Sequence, residues 1–387
     1  MDSYCAAPFR HIVYRSDGRT KPCCMWDDSA WDAKRDQTWG IRAPMANNDP
    51  FNHKWMQSLR TAMLSNEKVS GCNECYLRES AGYSSLRHSF NQIYGRPADA
   101  NLRYVEFNLG NLCNLKCRMC DSWSSSKWIA DEIALGIEPV PLTRPNIKMV
   151  RADLSTIDKL RFVGGEPTLE QSVMVAVLER ILELCGSLSH LEVSITTNCV
   201  ILLDDKLIKL LSACKQVDLQ CSIDGVGKIN DYQRTGSDWA TLLDNLVWYQ
   251  RNLSDNFKLV ILTSWSIINA NDAVGFLGFV IDKLPRYYVW GHLVRDPAYL
   301  QINNIPRSAK LNIAARLNSW IVHDNLHWVR HNKQVIQSQF REIPAVPADE
   351  VLHFIARLDQ LRNESFADIN PEMHAALVAA CENTNQA

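Results

Sequence analysis

Short apolar runs and longer amphipathic stretches alternate along the middle of the chain. A run of four to nine mostly apolar residues is typical of a buried strand, and apolar residues three or four apart are typical of a helix covering one face. Six strand signals occur, at 103–108, 160–163, 190–197, 217–223, 257–265 and 286–294. Helical stretches lie between them, at 122–135, 169–185, 204–214, 239–251 and 271–284. This order predicts an α/β fold whose parallel strands form a partial (β/α)6 barrel.

The flanking regions have different patterns. Before the barrel, residues 11–14 and a turn at Asp17-Gly18 predict a hairpin, 51–64 predicts a helix, and 26–50 is expected to be a loop. The region after residue 304 is helical in pattern, and a predicted helix there carries His323, His327 and His331 on one face. The predicted domains are a small N-terminal domain at 1–98, the barrel at 99–303 and a helical C-terminal region at 304–387.

Composition and charge narrow the functional classes. The chain has 387 residues with 41 Lys and Arg against 43 Asp and Glu, a net charge of −2, so we expect neither a nucleic acid nor an anionic membrane as partner. The longest apolar run, Ala273 to Ile281, has nine residues, about half of a membrane span. We therefore expect a cytoplasmic protein, in which thirteen cysteines indicate metal or redox chemistry rather than disulfide bonds.

The tightest cysteine cluster follows the first predicted barrel strand. Cys113, Cys117 and Cys120 form a C-x3-C-x2-C arrangement at a position where parallel α/β folds gather ligands. Structural zinc usually takes four protein ligands, whereas an iron-sulfur cube held by three thiolates leaves one iron open to another ligand.

The second predicted strand ends in Gly164-Gly165-Glu166-Pro167. Together with the cysteine cluster, in this order and spacing, it resembles the radical S-adenosylmethionine (SAM) enzymes. The resemblance implies a four-iron four-sulfur (4Fe-4S) cluster on Cys113, Cys117 and Cys120, whose open iron binds SAM. It also implies reductive cleavage of SAM to a 5′-deoxyadenosyl radical that removes a substrate hydrogen atom.

The resemblance extends to further site residues. Met119 stands where relatives often have an aromatic residue against adenine, and Cys199 stands where relatives have glycine. A thiol there is expected either to donate a hydrogen atom to a substrate radical or to be a buried turn cysteine. The remaining SAM-binding candidates are Gly164, Gly165, Glu166, Pro167, Asn198, Ser222, Asp224 and Arg234.

Four N-terminal cysteines form a second candidate site. Cys5 and Cys23 flank the predicted hairpin, and Cys72 and Cys75 form a later C-x2-C. They resemble the auxiliary-cluster domain called twitch, a shortened SPASM domain, in the subset of radical SAM proteins that carry it first. That resemblance implies a second 4Fe-4S cluster. A zinc site is the alternative for the same four thiols, and Cys24 is the alternative to Cys23.

Three functions are compatible with these patterns. The first is a radical SAM enzyme that oxidises, crosslinks or epimerises a peptide or protein side chain, because relatives with auxiliary-cluster domains often act on peptides. The second acts on a small molecule such as a sugar or an antibiotic precursor. The third is a non-catalytic, cysteine-rich metalloprotein. For the enzymes, the family implies a flavodoxin or ferredoxin as electron donor.

Overall fold

The computed structural model describes residues 2–27, 31–32, 37–38, 49–145, 153–321, 323 and 325–384. The strands are β1 (His11–Tyr14), β2 (Thr20–Lys21), β3 (Trp31–Asp32), β4 (Gln37–Thr38), β5 (Tyr104–Asn108), β6 (Lys159–Val163), β7 (Glu192–Thr197), β8 (Gln216–Ser222), β9 (Phe257–Trp265) and β10 (Tyr287–Leu293). The helices are α1 (Ala7–Arg10), α2 (Lys54–Leu64), α3 (Asn73–Ser80), α4 (Leu86–Tyr94), α5 (Trp128–Ala134), α6 (Gln171–Cys185), α7 (Asp205–Ser212), α8 (Lys228–Gln233), α9 (Trp239–Asn252), α10 (Ala273–Lys283), α11 (Arg307–Ser319), α12 (His327–Ser338), α13 (Ala348–Arg362), α14 (Phe366–Ile369) and α15 (Pro371–Thr384).

Eight strands form one sheet in the order β10-β9-β8-β7-β6-β5-β1-β2, and the α/β fold class is confirmed. The six predicted barrel strands are β5 to β10, which are neighbours in sequence order. Pairing is parallel between β5 and β6, β6 and β7, and β9 and β10. β9 is buried along most of its length, as expected for a strand covered on both faces.

The N-terminal segment contributes to this sheet, which its sequence pattern does not predict. The predicted hairpin forms, with β1 antiparallel to β2, and β1 also pairs in parallel with β5. All four β1 residues are buried. The His11 ring lies 5.1 Å from the Phe90 ring and 4.3 Å from the Tyr104 ring, and burial lowers the pKa of His11 to about 4. His11 is therefore neutral and packs as part of the core.

The chain divides into two compact units. The first comprises Met1–Leu112, Leu142–Ile195 and Leu203–Val217, and the second comprises Cys113–Pro141, Thr196–Leu202 and Asp218–Ala387. The predicted domain boundaries at residues 98 and 303 stay a prediction. In the second unit, Trp265 Nε1 donates to Asn332 Oδ1 at 2.8 Å, so α12 packs against the strands of that unit.

The C-terminal helices differ from the pattern-based expectation in one respect. α11 ends at Ser319 and α12 begins at His327, so the predicted single helix with three histidines on one face is wrong. His331 instead stacks on Trp290, with 4.1 Å between the ring centroids. Most of the predicted loop at 26–50 lies outside the described residues. Within the described part of the chain, no helix has the length and apolar character needed to cross a membrane.

Candidate functional site

The cysteine-rich loop follows β5 and lies in the second unit. Cys113 and Cys117 are buried and Cys120 is half-buried. The Leu115 N–H points at Cys113 Sγ at 3.5 Å, and the Cys120 N–H donates to the Cys117 carbonyl at 3.0 Å. The structure therefore holds all three predicted core ligands on one short, internally bonded loop.

The loop is fixed by main-chain bonds to the last residue of α8 and to a residue just after it, and by a side chain of α5. Lys116 N–H donates to the Thr235 carbonyl at 2.9 Å, and Arg118 N–H donates to the Gln233 carbonyl at 2.8 Å. Trp128 Nε1 donates to the Cys117 carbonyl at 2.8 Å. Because these contacts fix the backbone, the sulfur atoms are held in place by the fold.

A cation lies beside the sulfur atoms. Arg234 Nη1 is 3.7 Å from Cys117 Sγ, and Arg234 Nε is 2.8 Å from the fully buried Asp224 Oδ2. The hydrogen bond from Cys120 and the charge of Arg234 together lower the pKa of Cys117 to about 7, against the opposing effect of burial. The same hydrogen bond raises the pKa of Cys120. One thiol of the loop is therefore ready to ionise near neutral pH, the state that binds metal.

Polar groups from neighbouring strands support Asp224. Its Oδ1 accepts from the Ser264 N–H at 2.7 Å, and Ser264 Oγ lies 3.0 Å from His292 Nε2. Burial lowers the pKa of His292. Ser222, another predicted SAM contact, is half-buried at the end of β8. Asp224 and Arg234 are predicted from the sequence, whereas Ser264 and His292 are not, because they belong to no motif.

Gly164 and Gly165 lie in the first unit. The neighbouring backbone leaves no room for a Cβ at either position. A Cβ on Gly165 would lie 2.4 Å from the Leu112 carbonyl oxygen, and Gly164 has a φ of +148°. Glu166 caps the short 3-10 helix that follows, since its Oε1 accepts from the Thr168 N–H at 2.9 Å. That helix begins at Pro167, the last residue of the predicted motif.

Asn198 and Cys199 follow the end of β7. Asn198 Nδ2 donates to Asn114 Oδ1, on the cysteine-rich loop, at 2.7 Å. Cys199 has a φ of +60°, which favours the glycine that relatives carry there. Its side chain is fully buried, and its charge would act on Tyr287 within the same unit. These observations favour the buried turn cysteine.

A cavity of about 320 Å³ opens beside the cysteine-rich loop. Met119 and Cys120 line it, and so does Trp128. Tyr299 and Phe354 stack on each other at 5.3 Å and add aromatic surface. The predicted adenine-packing residue therefore borders a pocket with aromatic walls.

Arg118, between two of the cysteines, is the centre of a buried network that the sequence does not predict. Its side chain is 1% exposed and forms ion pairs with Asp359 and Glu364. Its guanidinium lies over the Tyr232 ring, 3.6 Å from the centroid. Asp359 is 241 residues away along the chain, so no local pattern could identify it.

The four predicted N-terminal ligands lie in the first unit. Cys5 and Cys75 are buried, and Cys23 and Cys72 are half-buried. Burial raises the pKa of Cys5 to about 12 and also raises the pKa of Cys23 and Cys72. The charge of Cys75 adds to this effect, because it raises the pKa of Cys5, Cys23 and Cys72. The structure therefore brings the four sulfur atoms within electrostatic range.

The hairpin and the C-x2-C segment are joined directly. Asp27 N–H donates to the Gly71 carbonyl at 3.1 Å, and a Cβ on Gly71 would lie 2.6 Å from the Trp26 ring. Cys24 is exposed, and after burial the charges of Glu106 and Arg161 have the largest effects on its pKa, which is raised to about 11. Among the described residues, no group of three His, Cys, Asp or Glu side chains has an arrangement that could hold a metal ion.

Comparison with known proteins locates a family domain. Residues 107–269 match the model of the Radical SAM superfamily. A 103-residue segment is 36% identical to GTP 3′,8-cyclase 3 of Mycobacterium bovis and of Mycobacterium tuberculosis, covering 26% of this chain and 25% of the relatives. The match thus spans about a quarter of the length of these curated relatives.

Among solved structures, two with bound cofactor are similar to part of this chain. The structure of anSMEcpe with bound AdoMet is 18% identical, with a TM-score of 0.42 over 58% of this chain and 62% of that one. Streptococcus suis SuiB bound to S-adenosylmethionine is 12% identical, with a TM-score of 0.38 over 70% of this chain and 61% of that one.

Proposed function

We propose that this chain, whose residues 107–269 form a radical SAM domain, reductively cleaves SAM and modifies a peptide or protein side chain. The 5′-deoxyadenosyl radical would remove a hydrogen atom from that side chain, leading to oxidation, crosslinking or epimerisation. The observation that carries this proposal is the loop with Cys113, Cys117 and Cys120, on which the pKa of Cys117 is lowered to about 7.

The donor set of the loop fits a 4Fe-4S cluster. Three thiols on one fixed loop supply three ligands and leave one iron for SAM, and the cluster would supply the electron that cleaves SAM. Arg234 favours the thiolate of Cys117 through its charge, and Asp224 holds Arg234 in place. Because Asp224 is fully buried, we assign it as a positioning residue that acts through Arg234.

The SAM contacts proposed from the family motif are Met119, Asn198, Ser222 and the Gly164-to-Pro167 turn. Met119 lines the 320 Å³ cavity, where an adenine ring would find the aromatic surface of Tyr299 and Phe354. The bond from Asn198 to Asn114 orders the loop itself. Glu166 orients its own turn by capping Thr168. A flavodoxin or ferredoxin, in the cytoplasm, is the proposed electron donor.

The N-terminal thiols are proposed to hold a second 4Fe-4S cluster through Cys5, Cys23, Cys72 and Cys75. Burial raises the pKa of Cys5, Cys23 and Cys72, so these thiols are poor thiolates without a cation, and a metal cluster supplies that cation. Cys24 is exposed and lies closer in electrostatic terms to Glu106 and Arg161, which supports Cys23 as the ligand. With four protein ligands, this cluster would serve electron transfer or structure.

A peptide substrate is proposed because the N-terminal thiols resemble the auxiliary site with which radical SAM enzymes often act on peptides. The second candidate is a small-molecule substrate. The match to GTP 3′,8-cyclase 3, an enzyme named for a nucleotide substrate, favours a small-molecule substrate. That match covers 26% of the chain.

Anaerobic purification tests the proposal. We expect about eight irons and eight sulfides per chain, together with 5′-deoxyadenosine that forms only when a reductant is added. About four irons with 5′-deoxyadenosine formation would assign the N-terminal thiols to zinc or to structure. No iron and no 5′-deoxyadenosine would overturn the enzyme function.

Replacing Cys113, Cys117 and Cys120 together with Ala is the specific test of the core site. We expect about four irons to remain at the N-terminal thiols and 5′-deoxyadenosine to fall to background. The matched control is Cys185→Ala, which removes a half-buried thiol at the end of α6 and is expected to change neither value. Cleavage that survives the triple substitution would show that the core assignment is wrong.

A further inference from the structure

A second cavity, of about 550 Å³, lies in the C-terminal part of the second unit. It borders the first residues of α11 and α13, and none of its lining residues belongs to the cysteine-rich site. Asn304 shapes its rim, because its Oδ1 accepts from the Ala345 N–H at 2.7 Å and from the Val346 N–H at 3.1 Å. The cavity is therefore built by specific bonds and is independent of the proposed function.

A buried cation lines this cavity. Lys310 is 8% exposed, and its Nζ donates to the Asn303 carbonyl at 2.9 Å and to the Glu342 carbonyl at 3.5 Å. Both acceptors are neutral, and within the described residues Lys310 forms no ion pair. Burial lowers the pKa of Lys310, and the charge of Glu342 opposes this effect only in part. A buried charge of this kind is stabilised by a counter-ion.

Two helix ends add to the positive potential. α11 begins after Pro306 and α13 begins after Pro347, and neither helix has a side-chain cap. The first N–H groups of a helix lack intrahelical partners, and the helix dipole favours an anion beside them. Arg307 adds a second cation to the lining, and Asp349 is the one carboxylate among the lining residues.

The rest of the cavity wall is apolar. Its apolar side chains include Ile305, Pro306, Phe340, Pro344, Val346 and Pro347. We propose that this cavity binds a carboxylate attached to an apolar body, with Lys310 as the counter-ion and the proline-rich wall in contact with the body. A free carboxylic acid and the C-terminus of a peptide both present this chemistry.

Matched small molecules test the charge preference on the full-length protein. Calorimetric titration would compare 4-phenylbutyrate with 4-phenylbutylamine and 4-phenylbutanol, which share one apolar body. We expect 4-phenylbutyrate to bind at least about tenfold more tightly than the other two, because only it pairs with Lys310. Equal affinities of the three probes would overturn the proposal. So would the absence of heat from 4-phenylbutyrate at ~10 mM, because a ligand of this size is expected to bind with a dissociation constant in the millimolar range.

Two lysine variants make the test specific to the residue. Lys310→Met is expected to weaken 4-phenylbutyrate about tenfold. Lys333→Met is the matched control, because Lys333 is also 8% exposed and also donates to a backbone carbonyl, that of Trp320. We expect unchanged binding in the control. Unchanged binding in a folded Lys310→Met protein would refute the role of Lys310. If this variant does not fold, the comparison of the three probes on the natural protein tests the proposal instead.

A peptide pair distinguishes the two sources of the carboxylate. N-acetyl-Leu-Phe with a free C-terminus is compared with its C-terminal amide. Tighter binding of the free acid than of 4-phenylbutyrate would identify a peptide terminus as the ligand, and the reverse would identify a small acid. Equal binding of the acid and the amide would contradict a carboxylate site.

Discussion

The two cysteine sets differ in what surrounds their sulfur atoms. In the loop after β5, a hydrogen bond from Cys120 and the charge of Arg234 lower the pKa of Cys117 to about 7. In the N-terminal set, burial raises the pKa of Cys5 to about 12 and also raises that of Cys23. Cys117 of the first set is therefore prepared by the fold to bind metal as a thiolate at neutral pH, whereas Cys5 and Cys23 keep their protons until a metal displaces them.

The largest expected effect comes from removing the cation of the loop. Arg234→Met leaves the fully buried Asp224 without its partner, and breaking a buried ion pair in this way costs about 3–5 kcal/mol. We expect a loss of this size in the free energy of unfolding, measured in urea. The control Arg251→Met, at the exposed end of α9, is expected to stay within ~0.5 kcal/mol. A loss below ~1 kcal/mol in Arg234→Met would show that the ion pair of Arg234 with Asp224 does not stabilise the site, and Arg234 would then not distinguish the two cysteine sets.

The next effect concerns which thiol completes the N-terminal set. Cys23→Ser is expected to lose the second cluster, about four irons per chain, because the charges of Cys72 and Cys5 act on Cys23. Its neighbour supplies the matched control, since Cys24→Ser changes an exposed thiol near Glu106 and should keep all iron. Elemental analysis with electron paramagnetic resonance gives both values. The opposite result would make Cys24 the ligand, and zinc in place of iron would support the zinc alternative.

A smaller effect is the pH dependence of the thiols in metal-free protein. Alkylation by iodoacetamide, followed by peptide mass spectrometry, should reach half of its maximal rate near pH 7 at Cys117, whereas Cys5 should still react slowly at pH 9. The pKa of Cys117 is lowered from 9, so the stabilisation that it contributes is complete above pH 9 and is lost as the pH falls through about 7.

A substitution sharpens this prediction. Cys120→Ala removes the hydrogen bond that has the largest effect on Cys117, so the half-point of its alkylation should move up towards pH 9. Cys214→Ala is the control, because Cys214 is not among the groups with the largest effects on the pKa of Cys117. If Cys117 and Cys5 reached half of their maximal alkylation rate at the same pH, the proposed difference between the two cysteine sets would be wrong.

Local patterns were sufficient for most of the strands and helices, and the cysteine ligands stay a prediction. β9 (Phe257–Trp265) has the bounds that the hydrophobic pattern predicts, because it is a continuous run of mostly buried residues. The parallel pairing of β1 with β5 and the ion pair of Arg118 with Asp359 could not be predicted. Both join residues far apart in sequence, and neither leaves a periodic signal in the segments that it joins.

The smallest expected effect concerns Cys199, which tests whether a further thiol belongs with the reactive set. Its side chain is fully buried, so in the folded protein it should resist alkylation under conditions that modify the half-buried Cys185. Cys199→Ala should reduce the free energy of unfolding by ~1 kcal/mol and leave 5′-deoxyadenosine formation unchanged. In Cys199→Gly, relief of the left-handed conformation at φ +60° should offset part of the lost burial. Alkylation of Cys199 as fast as that of Cys185 would instead show an accessible thiol and revive its role as a hydrogen-atom donor.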